Sequence, residues 1–160
     1  MVAPQSIEPV TLDVGMLIRR PPHEVFEALA DPAITTRYWF TGSTGRMDEG
    51  AKLTWTWDMY GASREIQVEK VEKNRLIRFT WNNYEVPTTV EFSCLPFENN
   101  TTYLRITETG YAGELSDRII AVRDSTAGFA FMISGLKAVL ERDIELGLVV
   151  DEHPPNLKLD

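Results

Sequence analysis

The chain has 160 residues, a formal net charge of −8 and a pI near 4.8. That length suits one domain able to bury roughly 68–70% of its unfolded surface, so folding needs neither disulfide nor metal. The acidity argues against nucleic acid, because phosphate binding needs clustered Lys and Arg, and it disfavours anionic membrane surfaces.

Residues 1–8 read as a loose end. Val10, Leu12, Val14, Met16 and Ile18 then alternate, which predicts a first strand. Pro21-Pro22 stops it, and proline is tolerated in the first turn of a helix. Val25, Phe26 and Leu29 follow at helical spacing until Asp31-Pro32 ends the helix. A second short helix over 33–38 brings in Tyr38-Trp39-Phe40. A series of hairpins comes next: a glycine-containing strand over 41–47, a turn at Asp48-Glu49-Gly50, and a strand over 52–59. A turn at Tyr60-Gly61-Ala62 leads to strands over 64–71 and 76–81, which Lys73-Asn74 separates. Asn82-Asn83 and Pro87 bracket a connection. Strands over 89–94 and 102–108 follow, joined through Pro96 and Asn99-Asn100.

The end of the chain is helical. Phe129, Met132, Ile133, Leu136, Val139, Leu140 and Ile144 recur at three and four residues, an apolar stripe. Asp124 or Ser125 is the expected N-cap, after a lead-in helix over 114–122, and Gly147 the expected stop. Pro154-Pro155 marks a tail over 148–160, read as flexible. Antiparallel strands with segregated helices define an α+β fold. The expected architecture is a curved antiparallel sheet of about seven strands wrapped around a long C-terminal helix. The two short helices follow the first strand, and one domain spans 9–147.

Four tryptophans mark the candidate site. Trp55 and Trp57 alternate in one strand and Trp81 ends another, so period two places them on the concave face of the sheet. Trp39 closes the aromatic run before it. A buried tryptophan removes on the order of 150–250 Å² from water, so stability alone justifies such residues. An empty apolar hole of roughly 300 Å³ would cost about 7 kcal/mol. A pocket among these rings is therefore small, water-filled or occupied. By parity Glu108 shares a face with Leu104 and Ile106, and Arg64 with Ile66 and Val68. Both stand near strand ends, as polar anchors at a cavity mouth or as solvated or paired charges. Glu108 is the one candidate acid or base.

Other chemistry is sparse. Cys94 is the single cysteine, which excludes an internal disulfide and a thiolate metal site. His23 and His153 read as exposed. No His/Asp/Glu cluster has metal-ligand spacing, no serine sits in a nucleophile elbow, and no phosphate loop appears. No metal or cofactor is expected. No signal peptide or membrane span is visible, so the cytoplasm is the default compartment. Tyr60, Tyr84 and Tyr111 read as surface or rim tyrosines.

The segments Pro21-Pro22-His23-Glu24-Val25-Phe26-Glu27-Ala28-Leu29, Arg37-Tyr38-Trp39 and Arg75-Leu76-Ile77-Arg78-Phe79-Thr80-Trp81 carry a resemblance. So do Gly128-Phe129 and Gly135-Leu136-Lys137-Ala138-Val139-Leu140-Glu141. Together they resemble the START-like or Bet v 1-like helix-grip superfamily. Within it the chain looks most like the activator of heat-shock-protein-90 ATPase homologue family, over about residues 10–146. The family often has tryptophan where this chain has Phe129, and histidine or a small polar residue where it has Glu108. The resemblance implies a cavity between sheet and C-terminal helix that binds a small, mainly apolar or amphipathic ligand. The residues expected to wall it are Trp39, Trp55, Trp57, Trp81, Phe92, Phe129, Met132 and Leu136, with Arg64 and Glu108 as polar anchors. It also implies two alternatives: a cyclase- or hydrolase-like enzyme using Glu108, and a co-chaperone that contacts a chaperone partner.

Overall fold

A computed structural model describes residues 9–82 and 84–160. The loose end expected at residues 1–8 lies outside the described residues, as does Asn83. Strand β1 (Leu12–Ile18) leads into helices α1 (Pro22–Ala30) and α2 (Pro32–Thr35). Six strands follow: β2 (Gly42–Ser43), β3 (Lys52–Trp57), β4 (Ala62–Glu72), β5 (Leu76–Trp81), β6 (Thr88–Phe97) and β7 (Thr101–Thr109). Helix α3 (Leu115–Arg142) and the short α4 (Leu148–Glu152) complete the chain. The strands form one antiparallel sheet in the order β1-β7-β6-β5-β4-β3-β2. It curves around α3, whose Phe129, Met132, Ile133, Leu136 and Val139 are buried against it. This is the helix-grip α+β fold the sequence pattern predicts.

Local chemistry explains most boundaries. Pro22 occupies the first turn of α1, and Asp31 caps α2 by accepting the Ala33 N–H at 3.0 Å. Asn74 and Gly61 turn the chain with positive φ, a conformation both tolerate better than other residues. Gly135 lets α3 lie against the turn that follows α2, because a Cβ there would stand 3.1 Å from that of Tyr38.

The structure differs from the sequence expectation in four places. The strand over 41–47 contracts to Gly42–Ser43. Pro96 lies inside β6 and not in a connection. Cys94 N–H, on the same side of the strand, bonds the Arg75 carbonyl just before β5 begins. Pro96 lies past that end, so its missing N–H breaks no ladder bond. The lead-in and final helices are one continuous helix of 28 residues, with Asp124 and Ser125 inside it and not at a cap. That helix stops at Asp143, which adopts a left-handed φ of 53° and caps the end. Gly147 instead opens α4, a helix inside the segment read as a tail, and Ile144 is 49% exposed.

Candidate functional site

The concave face is filled by interlocked rings. The Trp39 ring centroid lies 4.9 Å from Trp55, 6.1 Å from Trp57, 6.2 Å from Trp81 and 5.9 Å from Phe129. Phe79 and Phe92 pack 5.3 Å apart beneath them. Edge-to-face pairs of this kind add about 0.5–1.5 kcal/mol each beyond area burial. Trp55, Phe92, Met132 and Leu136, expected as cavity wall, are buried core.

The space that remains is at the open side, between the N-terminal half of α3 and strands β3 to β5. One cleft of about 290 Å³ is lined by Trp39, Trp81, Tyr84, Asp124, Ser125, Gly128 and Phe129. A second, of about 230 Å³, is lined by Trp39, Trp57, Tyr60, Arg64, Trp81, Gly128, Val149 and Glu152 among others. They share Trp39, Trp81 and Gly128, so they adjoin. Ligand pockets run roughly 300–1,000 Å³; the two clefts together reach that range and neither does alone. The structure thus brings Trp39, Trp57, Arg64, Trp81 and Phe129 to one groove. It places α4 at the far end, where Tyr60 donates to the Val149 carbonyl.

Glu108 lines neither of these clefts and stands at no mouth. It is fully buried, behind Trp81 and Ser125. Oε2 accepts the Trp81 indole N–H at 2.8 Å and the Thr88 hydroxyl at 3.1 Å. Oε1 accepts the Ser125 hydroxyl at 2.7 Å and the Tyr111 hydroxyl. Four donors match the roughly four lone-pair sites of an ionised, acceptor-only carboxylate. Burial and the bond to Glu108 push the Tyr111 phenol up, so it stays a donor. A general base needs access to substrate and a free lone pair; this carboxylate has neither. Its placement is that of a structural hub tying β5, β6, β7 and α3 together.

Sequence reading missed Ser125 and Thr88, and took Tyr84 and Tyr111 for surface or rim tyrosines. The Tyr84 hydroxyl lies 2.8 Å from Ser125 Oγ and donates to the Ala121 carbonyl at 3.0 Å. Tyr84 also separates the groove from a third cleft of about 400 Å³, beside Thr88, Tyr111 and Asp117. A signal was present. Thr88 shares parity with Val90 and Phe92, so two polar side chains, Thr88 and Glu108, point inward from the neighbouring strands β6 and β7 and need partners. Ser125 was hidden by its resemblance to a helix cap.

Among the described residues no three His, Cys, Asp or Glu side chains converge as a metal site. Burial pushes the Cys94 thiol up to about 12. Helix α3 is long and apolar enough to cross a membrane by length and composition, yet its Phe129–Val139 side is core.

Comparison with known proteins fits this geometry. No curated protein matches the chain. Protein SSP2350 from Staphylococcus saprophyticus superposes with a TM-score of 0.74 at 27% identity, covering 86% of this chain and 96% of its own. The Aha1 dimer from Colwellia psychrerythraea gives 0.69 at 21%, over 86% and 98%. DynU16, from the dynemicin biosynthetic locus, gives 0.74 at 20%, over 84% of this chain and 48% of its own. The profile described as "Activator of Hsp90 ATPase homolog 1-like protein" matches residues 19–141, and the chain belongs to that family.

Proposed function

We propose that the protein is a cytoplasmic binding protein for a small, mainly apolar molecule held in the paired clefts between α3 and strands β3 to β5. One observation carries this reading. Gly128 sits inside α3, where glycine costs about 0.5–1 kcal/mol relative to alanine. A Cβ there would meet nothing within 4 Å, so packing does not require the glycine. What its missing side chain leaves is the floor shared by both clefts. The walls are indoles, and the polar groups sit at the two ends, the distribution typical of ligand sites. Similarity to a protein of a biosynthetic locus suits a small-molecule ligand.

The test is a thermal-shift screen against aromatic and lipid-like compounds, repeated on Gly128→Ala and Gly128→Phe. A ligand at 100 times its Kd stabilises by about 2.7 kcal/mol, or roughly 5–11 °C at this size. Gly128→Ala is expected to raise the melting temperature and keep binding. Gly128→Phe is expected to fold and lose the shift. A ligand that shifts Gly128→Phe equally does not sit on this floor.

A second reading has its own observation. Leu115, Ile119 and Ile120 on the first turns of α3 are 42–52% exposed, an apolar face suited to a protein contact. In this reading the partner is a chaperone or, as in the Aha1 dimer, a second copy. An unchanged chaperone ATPase rate together with a monomeric mass would retire it.

A further inference from the structure

Tyr84 stands where one trough would otherwise run on along α3. The helix residues Asp117, Ala121, Ser125 and Gly128 all line clefts, and they recur at four, four and three residues, so they share one face of the helix. At about 1.5 Å per residue this stripe is about 16 Å long. Gly128 floors the paired clefts, while Asp117 and Ala121 line the third, which at about 400 Å³ is larger than either of the others. Tyr84 lines both sides of the division. Its hydroxyl reaches across to α3, 3.0 Å from the Ala121 carbonyl and 2.8 Å from Ser125 Oγ, and its ring meets Tyr111 edge-on at 5.8 Å. Both neighbours are fastened in turn, because Ser125 and Tyr111 donate to Glu108 Oε1. The phenol is thus held through the same buried carboxylate that ties the sheet to α3. At the opposite end Val149 and Glu152 of α4 close the groove, and Tyr60 bonds the Val149 carbonyl.

We propose that Tyr84 is a specificity-determining wall that limits the groove to compact molecules and shuts out long single-chain lipids. This rests on the reading that the paired clefts hold a ligand, and adds the length of that ligand. A molecule in the groove is confined between Tyr84 and α4. A longer chain has to displace the phenol from α3 and from Tyr111, or leave its own end in water. A methylene buried in a cleft strengthens binding about fourfold, and one left in water adds nothing. Removing the Tyr84 ring joins the groove to the third cleft, where Val86, Ala112 and Ala121 offer further apolar surface.

Calorimetry with straight-chain 1-alkanols, from butanol to dodecanol, reads the wall as the length at which affinity stops rising. The binding counted is the part that Gly128→Phe abolishes, which places it in the groove. In the native chain the gain of about fourfold per added carbon is expected to end within the series. In Tyr84→Ala it should continue for several carbons more, so that the longest alkanols bind the variant about tenfold or more tighter than they bind the native chain. Tyr84→Leu, a milder truncation, should move the break in the same direction and serves if the alanine variant does not fold. Tyr84→Phe keeps the ring and should keep the native break. An unmoved break in the truncations, a native series with no break, or a break moved as far by Phe as by Ala overturns the wall while the cleft reading stands. If no alkanol binds, the wall is overturned too, and the reading beneath it fails with it when no screened compound shifts the melting temperature.

Discussion

Replacing Glu108 separates a structural hub from a catalytic acid or base. Glu108→Leu keeps the bulk and removes the carboxylate that accepts from several buried donors. The Trp81 indole N–H, the Thr88 hydroxyl and the Ser125 hydroxyl then stand in residues that are at most 7% exposed, and Tyr111 can turn toward the third cleft. An unsatisfied buried donor costs about 1–3 kcal/mol, which sums to roughly 3–9 kcal/mol. Ser125 can redirect its proton to a carbonyl one helical turn back, so the lower half, about 3–6 kcal/mol, is expected. That is a large share of the roughly 5–15 kcal/mol a domain possesses. Glu108→Gln behaves differently. Its oxygen can stay with Trp81 and Thr88, and its NH₂ can donate to Ser125 and Tyr111, whose hydroxyls rotate. Charge-assisted bonds become neutral ones, and the cost falls to about 1–3 kcal/mol. Urea unfolding followed by tryptophan fluorescence at neutral pH measures both. Glu108→Leu within about 1 kcal/mol of the native chain would refute the hub. So would equal losses for Leu and Gln, because Gln can still bond all four partners and Leu none.

Two further outcomes follow from burial and pairing. Glu141 ties α3 to β1: its Oε2 accepts Lys137 Nζ at 2.5 Å and the Arg19 N–H at 3.3 Å, while Lys137 also donates to the Leu17 carbonyl at 2.7 Å. Burial pushes the Glu141 carboxyl up, but these donors outweigh it and hold it below the usual value. A depressed carboxylate contributes stability that is present above its unfolded value of about 4.3 and lost as pH falls through the lower folded one. Glu141→Gln is therefore expected to cost about 1–2 kcal/mol at pH 7 and progressively less as pH falls below about 4.3; parallel pH–stability curves would contradict the pairing. Cys94 is 1% exposed with its thiol pushed up to about 12, and only the thiolate is nucleophilic. A thiol reagent should modify it at the rate of unfolding, and fast labelling of the folded chain would refute the burial.

The sequence by itself determined the frame. Period-two runs placed Trp55, Trp81, Phe92, Leu104 and Ile106 on one face, and three-four spacing placed Phe129, Met132 and Leu136 on the helix that covers it. Those patterns are local, since alternation and helical spacing follow from backbone geometry alone. Proline and glycine gave most of the turns for the same reason. What only the tertiary structure decided is which inward residues meet. Parity put Glu108 on the concave side but not behind Trp81 and Ser125, because depth depends on where α3 crosses the sheet. Ser125 looked like a cap, since in isolation its hydroxyl would bond the nearest free N–H. In the fold the Glu108 carboxylate is the stronger acceptor, and the helix runs on past it. The tryptophans likewise divide by contact and not by spacing: Trp55 is wholly buried, while Trp39, Trp57 and Trp81 line the groove. Gly128 became informative only once the space beside it was visible, because an absent side chain has no pattern in sequence and acquires meaning from what surrounds it.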